Sequence, residues 1–248
     1  MNAFVQKIES FGLVDGPGVR FIVFLNGCPM RCRYCHNPET WKMAGTQRSA
    51  QDLLDQAIRY KSYWGKKGGI TVSGGEPLLQ IDFLIEFFEL AHAKGINTCI
   101  DTSGQPFAPE NPEWMAKFER LMRVTDCVLL DLKEIDDNHH RALTGCGNAN
   151  VLKLATWLSD HEIPVWIRHV LVPALTDDEQ RLFQLRDFIR TLKNVHRLEN
   201  LPYHSLGEVK YQTLGIPYTL TGTQSPSAEQ KARADEILET EKYTRYLQ

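Results

Sequence analysis

The sequence predicts an α/β fold: a partial, laterally open (β/α)6 barrel, TIM-like in layout. Strand-like and helix-like segments alternate from near residue 19 to near residue 201. The strands are short and almost continuously apolar, as in a parallel sheet whose outer face is covered by helices. Six such units can be counted, whereas a closed barrel of this kind uses eight, so one side is expected to stay open.

In order along the chain, residues 19–25 form the first expected strand, and a cysteine-rich loop follows it. Segment 50–63 carries Leu53, Leu54, Ala57 and Ile58 at helical spacing, with Ser49 placed to cap it. Residues 69–72 are a short strand leading to the helical run 81–94, which Gly95 stops as a C-terminal glycine. Strand 97–101 precedes helix 112–123, and strand 126–132 is dominated by Val128, Leu129 and Leu130. Helix 149–160 leads into strand 164–172, helix 177–192 follows, and 195–201 is the last strand. Residues 221–227 are a Gly/Thr/Ser/Pro linker, and 228–246 a charged C-terminal helix. At 248 residues one domain over 1–248 is expected, with 1–18 as an N-terminal segment at the active-site mouth and 221–248 as linker and terminal helix.

Composition narrows the function classes. With a net charge of −3 nothing indicates a nucleic-acid face, and Lys61, Lys66 and Lys67 read as a solvated helix end and turn rather than a phosphate track. No apolar stretch approaches the ~20 residues needed to cross a bilayer. The first thirteen residues contain Lys7 and Glu9 but no apolar run with a small-residue cleavage site, so a soluble cytoplasmic protein is expected.

Cys28, Cys32 and Cys35 place three thiols within eight residues. Such a loop can wrap one metal centre. An iron–sulfur cube has four irons, normally all held by cysteine; three ligands leave one iron open, and an open position marks a catalytic rather than a structural site. Other readings stand beside this one. Cys32-Arg33-Tyr34-Cys35-His36 matches the haem-attachment pattern, and Cys32/Cys35 alone matches a redox pair. Three cysteines with His36 suit zinc in ligand type, although the adjacency of Cys35 and His36 makes shared coordination awkward. Cys99 and Cys127 sit in apolar strand-like runs and read as core thiols.

In parallel α/β sheets ligands gather where strands give way to loops, and the unusual residues recur there. Ser73-Gly74-Gly75-Glu76-Pro77 follows the second strand and Asp101-Thr102-Ser103-Gly104 the third. Asp131-Leu132-Lys133 closes the fourth, Arg168 lies within the fifth, and Tyr203-His204 follows the sixth. Gly74 and Gly75 expose backbone groups to a ligand, but no phosphate-binding loop is present, because no Lys-Ser or Lys-Thr follows. Asp131 and Lys133, two apart on a strand, share a face, either as an internal ion pair or as ligand contacts.

With the three-cysteine loop and the Gly-Gly-Glu turn in place, the chain resembles the radical S-adenosylmethionine enzymes, and among them the activases of glycyl-radical enzymes. The likeness runs from about Phe4 to His204, through 14–21, 27–37, 71–77, 131–133, 166–168 and 201–204. Many relatives carry a ferredoxin-like insert with further paired cysteines after the first loop; here no cysteine falls between Cys35 and Cys99, so that insert is not expected. The resemblance implies a [4Fe–4S] cluster on Cys28, Cys32 and Cys35, with S-adenosyl-L-methionine chelating its open iron. It implies that the Gly74-Gly75-Glu76 turn receives the cofactor's amino group, and that Tyr34 and His36 flank its adenine beside Cys35. Asp131, Leu132, Lys133 and His204 would orient the rest, with Asp131, Lys133 and His204 as the catalytic set. Asp101 would hold a monovalent cation, and Asp15 and Arg168 would contact a substrate peptide. The implied partners are pyruvate formate-lyase, through its glycine loop, and flavodoxin or ferredoxin as electron donor. Competing classes are a radical enzyme acting on another glycyl-radical enzyme or a small molecule, and an iron–sulfur electron carrier without catalysis.

Overall fold

The structure, a computed structural model, describes residues 1–247; Gln248, the end of the expected segment 221–248, lies outside the described residues. The chain forms two compact units, Met1–Cys28 with Thr40–Leu129, and Pro29–Glu39 with the chain from Leu130 onward.

The first unit contains β1 (Asn2–Gly12), β2 (Arg20–Leu25), β3 (Thr46–Ser49), α1 (Ala50–Ile58), β4 (Gly69–Gly74), α2 (Ile81–His92), β5 (Asn97–Thr102), α3 (Pro112–Met122) and the start of β6 (Cys127–Asp131). β2, β4 and β5 are parallel, with Phe21 opposite Ile70 and Val72 opposite Ile100. Phe21, Ile22, Val23 and Leu25 are all buried, as expected for a strand covered on both faces. Phe83, Phe87 and Phe88 bury the inner side of α2. Cys99 and Cys127 are core thiols, as the sequence indicated.

β1 and β3 were not foreseen. β1 pairs antiparallel with both β2 and β3, but register shifts between Val5 and Lys7 and between Glu9 and Gly12 break the period-two alternation that would have marked it. β3 is Thr46-Gln47-Arg48-Ser49, a strand without an apolar residue. Ser49 caps α1 by accepting from the Asp52 N–H at 3.2 Å, as expected. The helix ends at Ile58 rather than at residue 63, because Tyr60 leaves helical angles and packs its ring against Phe11 and Phe21.

The second unit contains the end of β6, then α4 (Asp137–Thr144), α5 (Ala149–Asp160), β7 (Val165–Leu171), α6 (Glu179–Arg190), β8 (Val195–Pro202), α7 (Glu208–Leu214) and α8 (Ala228–Leu238). β7 and β8 run parallel, with Arg168 opposite Glu199. α8 opens on a capping box of Ser227 and Gln230. It stops at Leu238, short of the expected residue 246, because Glu239 turns left-handed at φ 58° and its carboxylate is held by Arg190.

The strand order is β3-β1-β2-β4-β5-β6-β7-β8, an open eight-stranded sheet. β2 and β4 to β8 are the six strands read from the sequence. No helix among the described residues is long and apolar enough to cross a membrane.

Candidate active site

In the first unit, the glycine pair after β4 is demanded by backbone packing. Gly74 has φ +117°, and a Cβ there would lie 2.3 Å from the Leu25 N and O atoms. A Cβ on Gly75 would lie 2.3 Å from the Gly27 carbonyl oxygen. The Gly75 N–H donates to Leu25 O at 2.9 Å and the Glu76 N–H to Gly27 O at 2.7 Å, which ties this turn to the chain just ahead of Cys28.

Glu76 is fully buried. Its Oε1 accepts from the Leu78 N–H at 3.1 Å and from the Thr102 hydroxyl at 2.6 Å; its Oε2 accepts from the Ser103 N–H at 2.9 Å and from the Ser103 hydroxyl. Burial pushes its carboxyl above the ordinary range, and these four donors oppose that shift. The side chain is therefore committed inward, and the turn offers its backbone. Asp101 accepts from the Ser73 hydroxyl at 2.6 Å.

Ahead of β2, the segment holding Asp15 is fastened by backbone acceptors. The Thr71 hydroxyl donates to Asp15 O at 2.7 Å. The wholly buried Arg20 donates to Thr71 Oγ1 at 2.9 Å, Asn97 Oδ1 at 2.7 Å, Pro17 O at 3.1 Å and Ile70 O at 2.5 Å. Sequence reasoning gave no role to Arg20, Asn97 or Ser103; an arginine two residues after a glycine-proline-glycine bend was the available signal for the first.

In the second unit, the part of the cysteine loop that follows Cys28 folds into a turn with the Cys35 N–H donating to Cys32 O at 3.0 Å, and the Asn37 N–H points at Cys35 Sγ at 3.4 Å. Burial pushes the Cys32 thiol up to about 12, with Lys133 pulling the other way. The Tyr34 hydroxyl is buried with no hydrogen-bond partner among the described residues, and Lys133 Nζ stands 5.9 Å from its ring centroid.

Asp131 is the hub of an ion-pair set. Lys133 Nζ donates to its Oδ2 at 2.7 Å and Arg168 Nε to its Oδ1 at 3.1 Å. Burial would raise the Asp131 carboxyl, but the two cations outweigh it and hold it below the usual range. Burial likewise works against the Lys133 ammonium, and Asp131 overrides it. The Leu132 N–H donates to Arg168 O at 2.9 Å, so β7 fixes both the backbone and the carboxylate of this segment. His36 stacks on His204 with centroids 4.1 Å apart, and its Nε2–H donates to His204 O at 3.1 Å. Burial, then the neighbouring His204, lowers the His36 pKa, which keeps that ring neutral near pH 7.

The structure thus gathers Asp131, Lys133 and Arg168, pairs His36 with His204, and joins Glu76 to Thr102 and Ser103. None of the six cysteines is in a disulfide. No three His, Cys, Asp or Glu side chains converge as a metal site among the described residues.

Residues 22–185 match the Radical SAM superfamily, which with the open α/β sheet defines the class: this is a radical S-adenosylmethionine enzyme. The pyruvate formate-lyase-activating enzyme of Streptococcus mutans serotype c is 51% identical over 249 residues, covering 99% of this chain and 94% of that protein. The one from Listeria monocytogenes serovar 1/2a is 52% identical over 241 residues, covering 96% and 97%. The crystal structure of a domain of pyruvate-formate lyase-activating enzyme from Bacteroides vulgatus superposes with a TM-score of 0.58 at 25% identity, over 71% of this chain and 96% of that one. Within the superfamily, the chain belongs to the family of the pyruvate formate-lyase-activating enzymes. That membership implies a [4Fe–4S] cluster and S-adenosylmethionine as cofactors.

Proposed function

We propose that this enzyme activates pyruvate formate-lyase by generating a glycyl radical on it. The observation that carries the reading is likeness at about half of all positions, over essentially the whole chain, to relatives of that name.

The donor chemistry fits the cofactors. Cys28, Cys32 and Cys35 would hold the cluster: three closely spaced thiols outside any disulfide, with an N–H already directed at the Cys35 sulfur. The cluster and S-adenosylmethionine, when bound, supply the one-electron chemistry that removes a hydrogen atom from a glycine of the partner. This chain's own residues bind and orient. The backbone of Gly74 and Gly75 would take the cofactor's amino group, a role supported by a Glu76 carboxylate already committed to Thr102 and Ser103. Lys133, kept charged by Asp131, would meet acceptors of the nucleoside end. Tyr34 and His36 would flank the adenine, and Leu132 and His204, whose ring stacks on His36, would orient the rest of the cofactor. Asp101, beside the Ser73 hydroxyl, would hold a monovalent cation. Asp15 and Arg168 would meet the substrate peptide. Hydrogen-atom transfer needs near contact between the two carbons, so positioning is the protein's main contribution. Flavodoxin or ferredoxin would deliver the electron, and the setting would be cytoplasmic.

The test is anaerobic incubation of the reconstituted enzyme with reductant, S-adenosylmethionine and pyruvate formate-lyase. A persistent glycyl doublet in electron paramagnetic resonance, with release of 5′-deoxyadenosine, is expected. Cofactor cleavage without that doublet would transfer the substrate to another glycyl-radical enzyme or a small molecule. No cleavage at all would leave an electron carrier.

A further inference from the structure

We propose that His140 is a positioning residue for the cysteine loop, acting by locking the stretch 143–146 that grips the backbone on both sides of Cys32. The last carbonyls of a helix have no partners within it, and here the loop supplies them. The Arg31 N–H donates to Thr144 O at 2.7 Å and the Arg33 N–H to Leu143 O at 3.0 Å, so the α4 terminus brackets Cys32. The Cys146 thiol faces Pro29 O at 3.6 Å. Residues 29, 31 and 33 are thus all held by the stretch 143–146.

That stretch is shaped by Gly145, left-handed at φ 80°, and closed from behind by His140. The imidazole is 1% exposed, and its Nδ1 lies 2.6 Å from Cys146 O. A carbonyl oxygen only accepts, so Nδ1 carries the proton and Nε2 is left as an acceptor. Nε2 is buried and has no hydrogen-bond partner among the described residues. An apolar side chain would fill the same space without stranding a polar atom. What distinguishes histidine here is the N–H delivered to the turn. Burial lowers the pKa of the ring, so it brings no second positive charge near Lys133. Thr144 is the competing clamp, because its hydroxyl also reaches His140 O at 2.8 Å and Cys146 O at 3.1 Å.

His140→Asn keeps an N–H where Nδ1–H stands, and His140→Leu removes it. The first readout is hydrogen exchange of segment 30–35 in the whole chain without cluster, compared with segment 149–160 as an internal reference. His140→Leu is expected to speed exchange of 30–35 by about tenfold while 149–160 is unchanged, with His140→Asn close to wild type. The second readout rests on the proposed ligand role of Cys32 and Cys35: after anaerobic reconstitution, iron loss to a chelator should accelerate in His140→Leu by a similar factor, and the paramagnetic spectrum of the reduced centre should broaden. Should His140→Leu not fold, His140→Gln, whose N–H is displaced by one methylene, takes its place. Wild-type exchange in the donor-free variant would mean that Thr144 alone holds the turn. Equal acceleration in the Asn and Leu variants would mean that the N–H is not what matters. Either result overturns the inference. A wild-type chain that takes up no iron would instead strike the ligand proposal, and the exchange comparison would still decide the role of His140.

Discussion

Replacing Arg20 by methionine puts a buried, multiply bonded side chain of the first unit to a quantitative test. The guanidinium is 0% exposed and makes close bonds to Thr71, Asn97, Pro17 and Ile70. Hydrogen bonds to charged groups are each worth ~1.5–3 kcal/mol net, so four bonds amount to ~6–12 kcal/mol gross. Set against this is the burial of the charge itself, which lowers the arginine's pKa and carries a penalty of several kcal/mol that methionine escapes. The balance is a destabilisation of ~4 kcal/mol, or roughly a 10 °C fall in melting temperature for a chain of this size. Arg20→Lys, which restores a point charge but not the fork of donors, should fall between the two. Urea titrations followed by circular dichroism give the free energies. A methionine variant within 1 kcal/mol of wild type, on the scale of a single net hydrogen bond, would falsify the claim that these bonds hold the Asp15–Gly18 bend against β4 and β5.

Gly75→Ala should be poorly tolerated, because its Cβ would meet the Gly27 carbonyl at 2.3 Å; a loss of ~2–3 kcal/mol is expected from forced backbone movement, and an unchanged denaturation midpoint would show that the turn can give. Glu76 has its folded pKa raised by burial above the ordinary 4.5. Its contribution therefore favours folding fully below the unfolded value and is lost as pH rises through the folded one. Glu76→Gln should flatten that part of the stability-against-pH curve, and parallel curves for the two proteins would refute the assignment. Cys32→Ala should abolish iron binding after reconstitution while far-ultraviolet dichroism stays the same. Full iron uptake in that variant would remove Cys32 from the ligand set.

The six strands of the parallel core were legible because burial on both faces writes itself as short apolar runs, as in Val128-Leu129-Leu130. β1 was hidden by its two register shifts, and β3 by having nothing apolar to show. α4 was missed for a related reason: its buried face is His140, Leu143 and Thr144, a mostly polar set without the usual periodic signal. At the candidate site, cysteine spacing singles out the loop, and its place after a strand singles out the Gly-Gly-Glu turn. The partners of Glu76 were not legible, since Thr102 and Ser103 reach it only because β5 lies beside β4. The family resemblance makes Arg168 a peptide contact, and the structure bonds its Nε to Asp131. A strand sequence states which face a side chain takes, but not which neighbouring strand will answer it.

The hydrophilic strand β3 has a consequence for solubility. An unprotected sheet margin invites a second polypeptide to extend it, and short, charged margins discourage that. β3 is four residues long, and its arginine is already bound to Asp52 and Gln56. An intruding strand would gain few backbone bonds there, no apolar surface, and a competition for Arg48. On this margin the fold resists fibrillar self-association by leaving a would-be templated chain nothing to bury.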